Sequence, residues 1–341
     1  FLGKLKYMLV RQICSFENKN VLVTGGAGFI GSHLIDHIIS KENARKLVVA
    51  DNFFLGKISN LLEAKKRSTN LIIERCDVGD YEEINDLIIK NSIDVVFNLA
   101  TIPLISSLVK PEWSIKKNID MTINICRILR EEKFMTLIQY SSSEALGTVR
   151  NFPMGNDHQS FPETPYAASK LATDHIALSY FNTFDLDVRI IRPFNQYGPR
   201  QNAHKFAALI PIIIKRMLKN EEIYISGDGL QTRDFIFVKD TVEATIDIFK
   251  NYQASGKIIH IGTGKEKTIL SIAEKVASLM DYKKEFKFIE DRIGDVKRHC
   301  AEITEAKDLI GWKPKTTFEE GIEETVEWYK CNQEVFDENI I

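Results

Sequence analysis

Tyr166 and Lys170, in Pro165-Tyr166-Ala-Ala-Ser-Lys170, lie four residues apart. On a helix they share a face, so a phenol and an ammonium converge on one bound group. A nearby positive charge favours phenolate and draws a tyrosine pKa down from its usual ~10. A phenol so tuned is a general base for an alcohol undergoing oxidation. An oxidation needs a hydride acceptor, and Val21-Leu-Val-Thr-Gly25-Gly-Ala-Gly28-Phe-Ile-Gly31 has the form of a site for one. An apolar strand-like run meets three glycines spaced three apart, and an amphipathic helical pattern follows. Gly25 permits the tight turn, Gly28 lets a pyrophosphate approach the backbone, and Gly31 lets the helix pack closely on the strand. The helix start then offers unpaired N–H groups to phosphate. Asp51 ends the next apolar run, Lys46–Asp51. There a carboxylate accepts hydrogen bonds from a ribose 2′-hydroxyl and repels a 2′-phosphate, so the expected cofactor is NAD and not NADP. Arg45 and Lys46 precede that strand and are expected at its far end.

Strand and helix patterns must alternate to hold these residues, and they do through the first half of the chain. A helical stretch near Ile58–Arg67 precedes a strand at Asn70–Asp77. A helix at Tyr81–Asn91 precedes a strand at Ile93–Ala100. The long helical pattern Trp113–Glu132 leads to a strand at Met135–Ser142, and Pro165–Phe184 leads to Leu186–Arg192. The expected fold is α/β, a Rossmann-type doubly wound parallel sheet with a smaller C-terminal substrate-binding lobe. Residues 1–19 read as a short amphipathic extension lacking a signal-peptide core. Residues 20–192 read as the dinucleotide-binding domain, and 193–341 as the lobe, interleaved with the last elements of the sheet. In that second part a helix at Phe206–Asn220, a strand at Ile223–Ser226, a strand from Arg233 to Val238, a helix at Thr241–Tyr252 and a closing helix at Phe318–Lys330 are expected.

Ligands of open α/β sheets bind beyond the carboxyl ends of the strands. Polar residues at those ends are therefore the candidates: Asp51, Asp77, Asn98, Ser141–Glu144 and Asn195. Asp77 reads equally as a partner for an adenine edge and as a loop cap.

Taken together, the glycine-rich turn, Asn98-Leu-Ala100, Ser142, Tyr166-Ala-Ala-Ser-Lys170 and Arg192-Pro-Phe-Asn195 resemble the extended short-chain dehydrogenase/reductase family. Within it the likeness, over about residues 20–330, is to NAD-dependent nucleotide-sugar epimerases and dehydratases. The resemblance implies a tightly held NAD that is not consumed and a nucleoside-diphosphate sugar oxidised at C4. Ser142 would hydrogen-bond the C4 oxygen, Tyr166 take its proton, and Lys170 also hold the nicotinamide ribose. Phe29, Ile30, Asn52, Val78, Leu99 and Ala100 complete the implied cofactor set with Gly25, Gly28, Gly31, Asp51 and Asp77. Ser143, Asn195, Leu209, Pro211, Tyr224, Arg233 and Arg298 form the implied substrate set. A planar guanidinium suits bidentate contact with a diphosphate, the role implied for Arg233 and Arg298.

Glu144 separates the family's reactions. The resemblance implies a small residue there in 4-epimerases and Glu in 4,6-dehydratases and decarboxylases. A carboxylate beside a 4-keto sugar removes the acidified C5 proton. Strand alternation would aim Ser142 and Glu144 to the same face. The sequence therefore reads as a nucleotide-sugar 4,6-dehydratase, with a 4-epimerase of UDP-hexose or UDP-N-acetylhexosamine type as the alternative. A catalytically silent NAD-binding protein is a remoter one. Ala145-Leu146 departs from the family's Val-Tyr, and Ser143 stands where glucose-type dehydratases carry an acidic Asp. That leaves the C6 acid unassigned.

The rest of the composition fits this reading. A formal net charge of −2 over 341 residues points to neither nucleic acid nor an anionic membrane as partner. Five scattered cysteines without CxxC spacing suggest free thiols in a cytoplasmic protein. Seven histidines without ligand spacing suggest no metal site. Ile119, Ile123, Ile128, Ala172, Ile176 and Phe181 leave two helices apolar on more than one face, and in the resembling family the matching helices pair two copies into a homodimer. Mass spectrometry of the denatured protein should release NAD and no NADP, and recovery of NADP alone would overturn the reading of Asp51.

Overall fold

Strands buried on both faces of a parallel sheet carry near-continuous apolar runs, and Val21-Leu-Val, Leu47-Val-Val-Ala and Val95-Val-Phe are such runs. In the computed structural model, which describes residues 14–204, 207–290 and 296–336, they form the centre of one sheet. The first half alternates β1 (Asn20–Thr24), α1 (Phe29–Lys41), β2 (Lys46–Asp51), α2 (Leu62–Arg67), β3 (Leu71–Arg75), α3 (Tyr81–Asn91) and β4 (Val95–Asn98). It continues through α4 (Leu104–Val109), α5 (Pro111–Arg130), β5 (Thr136–Tyr140), α6 (Pro165–Phe184) and β6 (Asp187–Pro193). The second half adds β7 (Asn195–Tyr197), α7 (Leu209–Leu218), β8 (Tyr224–Ser226), β9 (Thr232–Arg233), β10 (Phe235–Phe237), α8 (Val238–Lys250) and β11 (Ile258–Ile261). β12 (Lys267–Thr268), α9 (Ile269–Leu279), β13 (Lys287–Ile289), α10 (Thr304–Ile310) and α11 (Phe318–Cys331) complete it.

The sheet runs β11-β6-β5-β4-β1-β2-β3, and every neighbouring pair is parallel. Chain order reverses between β1 and β4, and a crevice opens at that point. Alternation along β1 sends Val21 and Val23 to one core and Leu22 to the other. A third apolar cluster, including Ile213, Ile225, Phe237, Ile272 and Tyr329, fills the lobe. β11 returns to the sheet and pairs with β6 after the chain has already left for β7–β10. Arg189, fully buried in β6, donates to the carbonyls of Ile248, Phe249 and Asn251 and so closes the C-terminus of α8.

Several elements differ from expectation for identifiable reasons. The strand expected from Arg233 breaks into β9 and β10 at Asp234, whose buried carboxylate accepts N–H bonds from Thr263 (2.8 Å), Gly264 (2.9 Å) and Ala301 (3.1 Å). Those bonds pin the loop after β11 and the segment before α10 at one residue, and α8 then starts directly after β10. The short helix α4 lies between Pro103 and Pro111, where the sequence pattern predicts none. The expected strand through Ser142 stops at Tyr140, because Ser142 caps a 3₁₀ turn over Ser143–Leu146. Of the N-terminal extension, residues 1–13 lie outside the described residues, as does Phe206. Phe16 packs into the core between Phe97 and Phe249.

The lobe is fastened to the sheet domain through α1. Pro199 O lies 2.9 Å from His33 Nε2, and Arg200 Nη1 donates to Asp36 Oδ2 at 2.7 Å. No helix of the described residues is long and apolar enough to cross a membrane. On α5 and α6, Trp113, Ile123 and Phe184 remain exposed, whereas Ile128 is buried within this chain. Light scattering at micromolar concentration should give twice the mass of one chain, and Ile123→Glu should shift it toward one; a single-chain mass for the unaltered protein would rule the homodimer out.

Candidate active site

The crevice is a cleft of 770 Å³ whose wall runs from the glycine turn to the lobe. At its near end Gly25 has φ +63°, and a Cβ there would meet the Ala100 backbone at 3.0 Å. A Cβ on Gly31 would fall 2.5 Å from Gly25 O, so α1 starts in contact with the turn. Gly28 N-caps α1 without a side-chain bond, which leaves the helix-start N–H groups to a ligand. Phe29, Ile30, Leu99 and Ala100 line the same stretch. These features fit a dinucleotide pyrophosphate.

Asp51 ends β2 in the cleft wall. Its Oδ2 accepts from Ala27 N at 3.0 Å and its Oδ1 from Phe53 N at 2.8 Å. Burial raises its pKa and these two bonds draw it back, and each oxygen keeps a lone pair for a ribose hydroxyl. Gly56 crowds it: a Cβ there would be 2.6 Å from Oδ2. Asn52, Asp77 and Val78 line the cleft beside it. Asp77 acts as a loop cap, accepting from Gly79 N at 2.8 Å, and also takes the Lys117 ammonium at 3.0 Å. Arg45 and Lys46 lie at the opposite end of β2, where Arg45 Nε donates to Asn20 Oδ1.

At the middle of the cleft stand Ser142, Glu144, Tyr166 and Lys170. Thr164 caps α6 by accepting from Ala167 N at 3.1 Å, Pro165 fills the first turn, and Tyr166 and Lys170 follow one turn apart. Lys170 is buried and donates to Tyr140 O at 3.0 Å. Burial lowers its pKa to about 8, and the Asp174 carboxylate acts against that fall. Tyr166 does not behave as the spacing suggests. Burial pushes its pKa up to about 12, hydroxyls of Ser142 and Thr101 pull it back, and the Glu144 and Asp174 charges raise it further. The protein alone therefore keeps Tyr166 as a phenol, with the Lys170 ammonium 5.9 Å from its ring centroid. Ser142 and Glu144 meet through the 3₁₀ turn and not through strand alternation: Ser142 Oγ accepts from Glu144 N at 3.2 Å. Gly147 ends that turn at φ +68°, where a Cβ would collide with Phe161 O.

Beneath the turn lies a buried polar chain. Asp174 accepts from Ser141 Oγ at 2.7 Å and Arg192 Nη2 at 2.6 Å, and Arg192 Nη1 lies 3.2 Å from His260 Nε2. The pair is desolvated, and the bonds from Ser141 and toward His260 offset part of the cost of burying its charges. At the far end Ser143, Asn195, Leu209, Tyr224 and Arg233 line the cleft. Ser143 Oγ is 3.4 Å from His299 Nδ1, and Asn195 Oδ1 is buried with no hydrogen-bond partner among the described residues. Two expected substrate residues are not brought into the wall. Pro211 is buried inside α7. Arg298 forks onto Glu266 at 2.8 Å and lies 3.8 Å over the Phe152 ring.

A family model described as GDP-mannose 4,6 dehydratase matches residues 22–325. The chain belongs to the extended short-chain dehydrogenase/reductase family. It is 33% identical to the putative UDP-glucose 4-epimerase of Methanocaldococcus jannaschii, over 92% of this chain and 99% of that protein. The solved UDP-glucose 4-epimerase of Thermotoga maritima, with UDP-glucose, superposes with a TM-score of 0.86 at 30% identity, covering 92% and 99% of the two chains. The dTDP-glucose 4,6-dehydratase DesIV of Streptomyces venezuelae, with NAD bound, superposes with a TM-score of 0.88 at 25% identity, covering 93% and 99%. NAD is the cofactor of this family member, and its relatives include both 4-epimerases and 4,6-dehydratases.

Within this family member, sequence reasoning missed Thr101, Lys57, Arg200 and Gln201, all in the cleft wall. Thr101 directly follows the Asn98-Leu-Ala100 motif, so its neighbourhood was the available signal; the others sit in loops without periodicity. Among the described residues no group of three His, Cys, Asp or Glu could hold a metal.

Three buried histidines should each contribute to acid sensitivity. Burial, the first cause in each case, lowers His33 from 6.5 to about 4 and His260 and His299 to about 3, with Arg200, Arg192 and Arg233 respectively adding like charge. At these three sites the unfolded chain binds protons that the folded one refuses, so their contribution to stability is complete above pH ~6.5 and is lost as pH falls toward the folded values. Unfolding free energies should fall by up to ~1.4 kcal/mol per pH unit per histidine below that point; denaturant titration across pH measures the slope, and replacing His299 by Asn should flatten it.

Proposed function

We propose that this protein is a nucleotide-sugar 4,6-dehydratase, and the observation that carries the reading is Glu144. Its carboxylate lines the cleft beside Tyr166, near enough that its charge raises the phenol's pKa. Among the described residues the other carboxylates of the cleft wall are Asp51, which ends β2, and Asp77, in the loop after β3. Glu144 is thus the acid–base group available at the reacting end.

NAD, which the Gly25–Gly31 turn and Asp51 would hold, would supply a reversible hydride acceptor between C4 and C6 and a positive charge beside the phenol. Tyr166 removes the C4 hydroxyl proton, with Ser142 and Thr101 hydroxyls fixing the phenol oxygen. Lys170, held on Tyr140 O, supplies the positive charge that favours phenolate. Oxidation at C4 acidifies C5, and Glu144 takes that proton as the C6–oxygen bond breaks. Glu144 then hands the proton to the departing hydroxide, which leaves as water, so Ser143 need not be an acid. Restoring one proton at C5 balances the one taken from the C4 hydroxyl. The product is a 4-keto-6-deoxy sugar. Ser143, Asn195, Leu209, Tyr224 and Arg233 hold the nucleoside diphosphate and sugar.

The epimerase reading has the similarity to 4-epimerases in its favour. A substrate deuterated at C4 separates the two: a dehydratase delivers the label to C6 with loss of water, whereas label on an inverted C4 makes the protein an epimerase. Glu144→Gln should still reduce bound NAD while releasing dehydrated product ~10²–10⁴-fold more slowly. Unchanged product release in that variant would make Glu144 structural.

A further inference from the structure

Three wall residues on the Asp51 side of the cleft are each held from behind by one helix. Phe54, in the loop after β2, packs against Trp113 with ring centroids 5.8 Å apart. Asp77, in the loop after β3, takes the Lys117 ammonium at 3.0 Å. Val78 O accepts from Asn124 Nδ2 at 3.0 Å. Phe54, Asp77 and Val78 line the cleft; Trp113, Lys117 and Asn124 do not. All three outer residues belong to α5, and their positions, one turn and then two turns apart, put them on one stripe of it. Gly79 serves the middle link, since a Cβ there would lie 3.0 Å from both Asp77 Oδ1 and Lys117 Nζ.

We propose that this stripe of α5 is a clamp that keeps the loops after β2 and β3 closed on the adenosine half of NAD. Asp51 at the tip of β2 marks that half, because the ribose-binding acid of such sheets occupies that strand end. Loops that carry binding residues are ordinarily the parts that open. Here each loop is tied to a 20-residue helix of the domain core instead of to solvent-exposed chain. A reaction that returns its hydride within each turnover has no need to exchange cofactor, so a closed adenosine end does not slow it. Trp113, Lys117 and Asn124 are positioning residues, acting through Phe54, Asp77 and Val78. The proposal rests on NAD as cofactor and holds equally for elimination and for epimerisation of the 4-keto sugar.

The test is the rate at which labelled NAD leaves the purified protein in excess unlabelled NAD. Trp113→Ala with Lys117→Met should release it ~10-fold faster or more, with kcat regained at saturating NAD and KM for the nucleotide sugar unchanged. Trp113→Phe with Lys117→Arg should retain NAD as the unaltered protein does. Release within twofold of the unaltered rate from the folded Ala/Met variant overturns the clamp. So does NAD loss that occurs only as light scattering reports separation into single chains, since α5 would then act through an interface. Should the double variant fail to fold, Asn124→Ala alone is read the same way: faster release supports the clamp and an unchanged rate overturns it.

Discussion

One hydroxyl fixes where the cleft opens. Thr24, the last residue of β1, donates to Asn98 Oδ1 at 2.6 Å and accepts from Leu99 N at 3.1 Å and Ala100 N at 3.2 Å. It thereby ties the ends of the two strands between which chain order reverses. Asn98 passes the constraint on, donating to Gln139 Oε1 at 2.8 Å in β5. Three adjacent strand ends are thus locked in register by buried side-chain amides and one hydroxyl, where an unmade bond would cost about 1–3 kcal/mol. Gly25 turns against Ala100 only because this seam holds Ala100 still. The pyrophosphate turn and the Ser142 turn both start from it.

The candidate catalytic residues depend on a second buried layer. Ser141, Asp174, Arg192 and His260 link β5, α6, β6 and β11 under the Ser142–Glu144 turn. Two of these elements also adjoin or carry candidate reacting groups, β5 leading into Ser142 and Glu144 and α6 carrying Tyr166 and Lys170, so Glu144 and Tyr166 are set relative to each other from below. Hydrophobic packing alone would leave the 3₁₀ turn free to rotate on its strand. Directional, charge-assisted bonds do not.

The fold was readable because its signals are local. Val21-Leu-Val followed by spaced glycines fixes a strand, a turn and a helix, and Tyr166 and Lys170 need only helical spacing to meet. What the sequence concealed depends on long-range contacts. Asp234 splits a strand because three distant N–H groups converge on it, and no window around Arg233 contains them. The pKa of Tyr166 is set by burial more than by Lys170, and burial is a property of the assembled walls. Arg298 looked like a phosphate ligand by type, yet Glu266 and Phe152, far off in sequence, hold it elsewhere. Residue type told what chemistry was available, and tertiary packing told where.

The seam between lobe and sheet domain has a consequence for engineering. His33 and Asp36 sit on the same helix that begins at the pyrophosphate turn, and they grip Pro199 and Arg200 of the loop beyond Asn195. The lobe is consequently not a cassette. A chimera that grafts a foreign lobe after β6 onto this nucleotide-binding half would bring a 199–200 loop shaped to another protein's first helix. Recombination at residue 193 would separate partners that must be inherited together. A crossover that swaps α1 along with the lobe keeps the joint intact, and with it the alignment of sugar and cofactor.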